Sequence, residues 1–128
     1  MEKQEKRSTY TLQNENFGSV KIADDVVAAI AGIAATEVKG VAGMAGNVMA
    51  NEIKNKVGMK NPTKGVKVEV NDGEVRVTLS ILMEYGYNIP ATSRKVQEKV
   101  KNSIENMTGL TVTDVNIRIG GVDMEKGN

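Results

Sequence analysis

Two tyrosines, Tyr85 and Tyr87, stand either side of Gly86 in the stretch MEYGYNIPATSRKV, beside Glu84 and just ahead of Pro90. A flat ligand held between two rings, with a carboxylate nearby, is the chemistry such a grouping could support. Parity along the chain argues otherwise. Tyr85 and Tyr87 keep the odd-numbered phase of Val77, Leu79, Ile81 and Met83, while Glu84 falls in the opposite phase. The rings are therefore expected on the buried side, plugging the end of a core that is otherwise poor in aromatics. Gly86 loosens the strand end, and Pro90 pre-sets φ for the first turn of a helix.

The other groups capable of chemistry are scattered. The chain has no histidine, the usual general base near neutral pH and the commonest metal ligand, and no cysteine for thiolate, disulfide or metal chemistry. Asp24 and Asp25 read as helix-start residues and Asp72 as a turn residue. No nucleophile and base fall at a spacing that would bring them together. The expectation is a non-enzyme, with no catalytic residue, no cofactor and no metal site.

Glycine-rich GVAGMAGN, residues 40–47, invites comparison with a phosphate-binding loop. Such a loop follows a strand and ends in Lys-Ser/Thr, whereas these glycines follow a helical pattern and lack that ending. The order strand, helix, GVAG, helix, strand over residues 18–71 also resembles a KH module, whose GXXG loop clamps a nucleic-acid backbone. Here the two central residues are Val41 and Ala42, and the formal net charge is +1, so the electrostatic attraction is weak. A KH-like nucleic-acid-binding regulator is the alternative reading.

The elements that would position any site follow from periodicity. GSVKI, residues 18–22, predicts a strand, and VVAAIAGIAATEV a helix to about Val38 that is apolar on nearly every side. Cover on more than one side suits that helix, as does close approach of another backbone at Gly32. Gly40 suits its C-cap, Val41 to Met44 a short strand, and residues 47–57 a short helix. Val66, Val68 and Val70 then alternate with Lys67 and Glu69. Asp72-Gly73 fits a two-residue primed turn, with Gly73 free to take positive φ, and Val75 to Met83 return as a second alternating strand.

A helix from about Pro90 to Thr108 is predicted to bury Val96, Val100, Ile104 and Met107 and to end at Gly109, with i,i+4 pairs Arg94–Glu98 and Lys101–Glu105 outside. TVTDVNIRI is the last strand, with Val115, Ile117 and Ile119 inward. The result is an α+β domain in the order β-α-β-(α)-β-β-α-β, a mixed or antiparallel sheet with helices packed on one face. Its other face carries Lys67, Glu69, Arg76, Thr78, Asn116 and Arg118, the candidate interface for a protein partner. Gly73, Tyr85, Tyr87, Pro90 and Gly109 have structural parts. Residues 1–16 and 123–128 are polar and expected to be disordered tails around one domain over 17–122. No run approaches the roughly 20 apolar residues of a membrane helix and no secretory leader is evident, so a cytoplasmic protein is expected.

Taken together, GSVKIADDVVAAIAGIAATEVKGVAGMAG, GVKVEV, LMEYGYNIP, VQEKVKNSIENMTGL and VTDVNIRIGGV, in this order and spacing, resemble the alkaline shock protein/Gls general-stress family of Gram-positive bacteria. The resemblance covers about Phe17 to Val122. It implies a small non-catalytic cytoplasmic protein of the envelope stress response, acting through protein–protein contacts. Its implied partners are other copies of itself and a separate small membrane-anchor protein. The family supplies no catalytic residues to carry over.

Overall fold

The computed structural model describes residues 9–14, 18–48 and 63–124. Their order is β1 (Thr9–Asn14), β2 (Gly18–Ala23), α1 (Asp24–Thr36), β3 (Val41–Met44), α2 (Ala45–Val48), β4 (Val66–Asn71), β5 (Glu74–Glu84), α3 (Ile89–Thr108) and β6 (Thr111–Asp123).

β5 is the spine of the main sheet. Val75, Val77, Leu79, Ile81 and Met83 alternate along it and are no more than 1% exposed, so each contributes the roughly 1.5–3 kcal/mol of a fully buried aliphatic side chain. β6 runs parallel to β5 from Glu74↔Thr111 to Glu84↔Asp123 and so occupies one edge for its whole length. β3 and β4 must therefore share the other edge end to end, antiparallel to β5. β4 takes Glu74 to Leu79, and β3 takes Ile81 to Met83.

Backbone direction agrees with this arrangement. The amides of Ser80 and Glu84 donate to Gly65 and Gly40 on the β3/β4 side, whereas that of Tyr85 donates to Asp123 on the β6 side. The joint between β3 and β4 is tight: a Cβ on Gly46 would lie 3.2 Å from the Cβ of Lys64. Asp72 and Gly73 both take positive φ, 53° and 79°, the backbone of a primed two-residue turn.

Both long helices cover one face of this sheet. α3 buries Thr92, Val96, Val100, Ile104 and Thr108. Asn88 caps it, its side-chain oxygen accepting from the Ala91 amide at 2.8 Å, and Gly109 closes it in the left-handed conformation at φ 81°. α1 buries Val27, Ala28, Ala31, Gly32, Ala34 and Ala35, small residues that admit close neighbours on several sides. Val26 and Ile33, seven residues apart on its outer stripe, stay about half exposed. The chain is thus α+β, with a mixed sheet covered on one side.

Several expectations change. Thr9–Asn14, assigned to a disordered tail, forms a strand that pairs antiparallel with β2, and this hairpin is a sheet of its own rather than part of the main one. At the other end, β6 runs on to Asp123. Helix α1 stops at Thr36 with Glu37 as C-cap, so Gly40 does not cap it; the N-cap is Ala23, leaving Asp24 and Asp25 in the first turn. Gly40 is instead buried at φ 103°, where a Cβ would come within 2.7 Å of the Tyr87 ring. The helix expected over residues 47–57 lies outside the described residues beyond Val48.

Candidate interaction surface

On the face opposite the helices, the described residues of β4, β5 and β6 are half-buried or exposed. Even-numbered residues of β5 point there, and cross-strand register sets their neighbours. Lys67, Thr78 and Asn116 form one row across β4, β5 and β6, and Glu69, Arg76 and Asp114 form the next. Arg118 lies beside Ser80, one row further on. All six candidate interface residues, Lys67, Glu69, Arg76, Thr78, Asn116 and Arg118, are thereby brought onto one continuous face.

Arg76 sits between two acids, 3.8 Å from Glu69 and 3.9 Å from Asp114. Its side chain is 58% exposed and the contacts are long, so each pair adds well under about 1 kcal/mol. The face is charge-balanced and loosely held. Asp114 completes the row, and its cross-strand place opposite Arg76 could be found only once the parallel register of β5 and β6 was known.

Two bulges set the phase of β6. Register shifts between Val75 and Arg76 and between Ile81 and Leu82, leaving Thr113 and Gly120 as extra residues. Between them Val115, Ile117 and Ile119 face Val77, Leu79 and Ile81 on the helix side. At the start of the strand α3 reaches over. The Val112 amide donates to the Glu105 carboxylate at 2.9 Å, and the Gln97 side chain donates to the Val115 carbonyl at 3.0 Å. Lys101 bonds the same carboxylate at 3.1 Å. The Val112 N–H, and then the Lys101 ammonium, hold the Glu105 carboxyl below its ordinary range. An open groove of about 400 Å³ lies here, bounded by Arg94, Gln97 and Lys101 on the helix and Thr113 and Val115 on the strand.

The tyrosines do not plug the core. β5 ends at Glu84, one residue before the parity argument needs it, and the chain turns through Gly86 at φ 98°. Tyr85 is 66% exposed, and Tyr87, 43% exposed, lies over Gly40. Met107, expected inward, is 70% exposed. Val41 to Gly43 of the GVAG segment lie in β3, a strand paired with β5 rather than a loop between helices, so they do not offer the backbone clamp of a KH module. Among the described residues, no cluster of three Asp, Glu, His or Cys could hold a metal ion, and no helix is long and apolar enough to cross a membrane.

Comparison with known proteins adds a lineage to this geometry. The model of the alkaline shock protein 23 family, described as having a cell envelope-related function, matches residues 12–124. The uncharacterized protein YqhY of Bacillus subtilis (strain 168) is 37% identical over 113 residues, covering 88% of this chain and 83% of the relative. A protein named stress response regulator gls24 homolog, from Streptococcus pyogenes, is 30% identical over 114 residues, covering 89% of this chain and 64% of the relative. Among solved structures, MamM CTD aligns with a TM-score of 0.48 at 10% identity, covering 77% of this chain and 96% of that one.

Proposed function

We propose that this chain, which belongs to the alkaline shock protein 23 family, is a non-catalytic member of the envelope stress response that works by protein–protein contact. The observation that carries the reading is the sheet face that no described helix covers, where Lys67, Glu69, Arg76, Thr78, Asn116 and Arg118 meet across three strands. A mixed-charge surface with its backbone already paired suits a protein partner matched in charge. The name of the gls24 homolog supports a stress-response role, and the family description supports a link to the envelope. In this reading the protein is cytoplasmic, associates with itself, and reaches the membrane through a separate anchor protein.

The test is capture of membrane proteins from the protein's own cells by the tagged chain, compared with the double variant Lys67→Glu, Arg76→Glu. Both positions are exposed, so the melting temperature should stay within about 2 °C. Recovery of the anchor should fall several-fold. Equal recovery by both forms would exclude this face, and no membrane protein recovered with either would exclude the anchor.

A further inference from the structure

We propose that the outer edge of β6 is a self-pairing edge: two copies join antiparallel there, about a twofold axis at Asn116, with Asp114 of each opposite Arg118 of the other. This names the surface for the self-association in the preceding reading and rests on it.

The argument begins with backbone direction. Ser80 and Glu84 turn their amides toward the β3/β4 side, so the odd-numbered residues of β5 turn theirs toward β6. In a parallel pair Val77, opposite Val115, then bonds the groups of Asp114 and Asn116, and the pattern repeats along the strand. The N–H and C=O groups of Val115, Ile117 and Ile119 point the other way. No other strand pairs with β6 among the described residues. The Val115 carbonyl does accept from Gln97, but it has a second lone pair.

An edge of this kind is a template for another strand, and proteins usually blunt it with proline, a bulge, an inward charge or a covering helix. Between the bulges at Thr113 and Gly120 there is no proline, bulge or inward charge, and α3 bonds the outer backbone there at Val115 alone, through Gln97. The inward side chains are Val115, Ile117 and Ile119, and the stretch Asp114 to Ile119 is regular.

Charge decides the occupant. Arg118 makes no ion pair within the described residues, and Asp114 makes only its 3.9 Å contact to Arg76. Asp114 and Arg118 lie four residues apart on one strand, about 13 Å, too far to meet in the same chain. A twofold at Asn116 sets each against the other in the second copy. It also pairs Val115 with Ile117, whose backbone groups both point outward, so four interchain hydrogen bonds form. An axis at Ile117 would put Arg118 opposite Asn116 and Asp114 opposite Gly120. An axis at Val115 would put Arg118 opposite Val112, beyond the bulge. Only the axis at Asn116 cancels both charges.

Sedimentation equilibrium of the full chain tests the proposal, with a melting curve for each variant as a check on folding. The wild type should dimerise. D114R sets Arg against Arg118 of the second copy, and R118D sets Asp against Asp114, so each should weaken the dimer by about ten-fold or more. D114R/R118D swaps the charges and should return to within roughly threefold of wild type. N116K, an independent arm at an exposed position, places two ammonium groups on the axis and should also dissociate it. A wild type that stays monomeric at about 100 μM overturns the proposal, whatever the membrane capture shows. A wild type that associates but ignores all four variants overturns this edge while leaving self-association in place. A double variant as weak as the single ones overturns the register.

Discussion

Glu105 shows how much one residue does here. Its carboxylate accepts from the Val112 amide and the Lys101 ammonium together, tying the last turns of α3 to the start of β6. Both donors favour the charged form, so its pKa in the fold lies below the unfolded value. A lowered carboxyl pKa adds stability that is present above the unfolded value, near pH 4.3, and is lost as pH falls through the folded one. Glu105→Gln should therefore melt below wild type at neutral pH, and the gap should close as the pH drops below about 4. A gap of equal size at pH 3 and pH 7 would mean that the charge takes no part. In the sequence Lys101 and Glu105 were visible as an i,i+4 pair. The bond to Val112 was not, since it depends on how Gly109 folds the chain back.

At the scale of elements, α3 separates what periodicity can tell from what it cannot. Its buried line is the i+4 series Thr92, Val96, Val100, Ile104, Thr108. Each step of four advances about 40° around the helix, so by its end the buried side has rotated toward Thr108 and away from Met107. Val100→Asp should destabilise the protein by several kcal/mol, since it puts a lone charge at a site with 0% exposure. Met107→Lys should change stability by no more than about 0.5 kcal/mol in either direction. Urea unfolding of both distinguishes them, and a large loss in the second would place Met107 against the core. The hairpin was legible because Val66 to Val70, Asp72-Gly73 and Val75 to Met83 each state a local rule. Tyr85 and Tyr87 were misread because strand parity says nothing about where the strand stops. The strand Thr9–Asn14 was missed because a polar composition hides a partner that only β2 supplies.

For the molecule as a whole, the sheet divides into a protected spine and a bare margin. β5 is flanked on both edges and covered by two helices, while among the described residues β6 is paired on one side alone. Hydrogen exchange at low concentration should read this directly. The amides of Asn116 and Arg118 should be slow, and those of Ile117 and Ile119, two places along on the same strand, should be fast. Raising the concentration should slow Ile117 if two copies pair there. Uniform protection along β6 at every concentration would mean that its outer margin is already covered. The candidate face was readable from alternation alone, because β4, β5 and the middle of β6 all keep period two. Its arrangement into rows was not, because the bulges at Thr113 and Gly120 decide which residues are neighbours.

The abutment of β3 and β4 along one side of β5 carries a further consequence. The chain leaves the sheet after Met44 and rejoins it at Val66, and just outside those points Gly46 and Lys64 almost touch. Gly46 and Lys64 thus form a single doorway, and a flexible insertion that opened and closed there would not strain the sheet. Closing a longer excursion adds only about 0.6 kcal/mol per doubling. Evolution, or an engineer splicing in a reporter, can therefore lengthen the protein at this point while leaving the scaffold as it is.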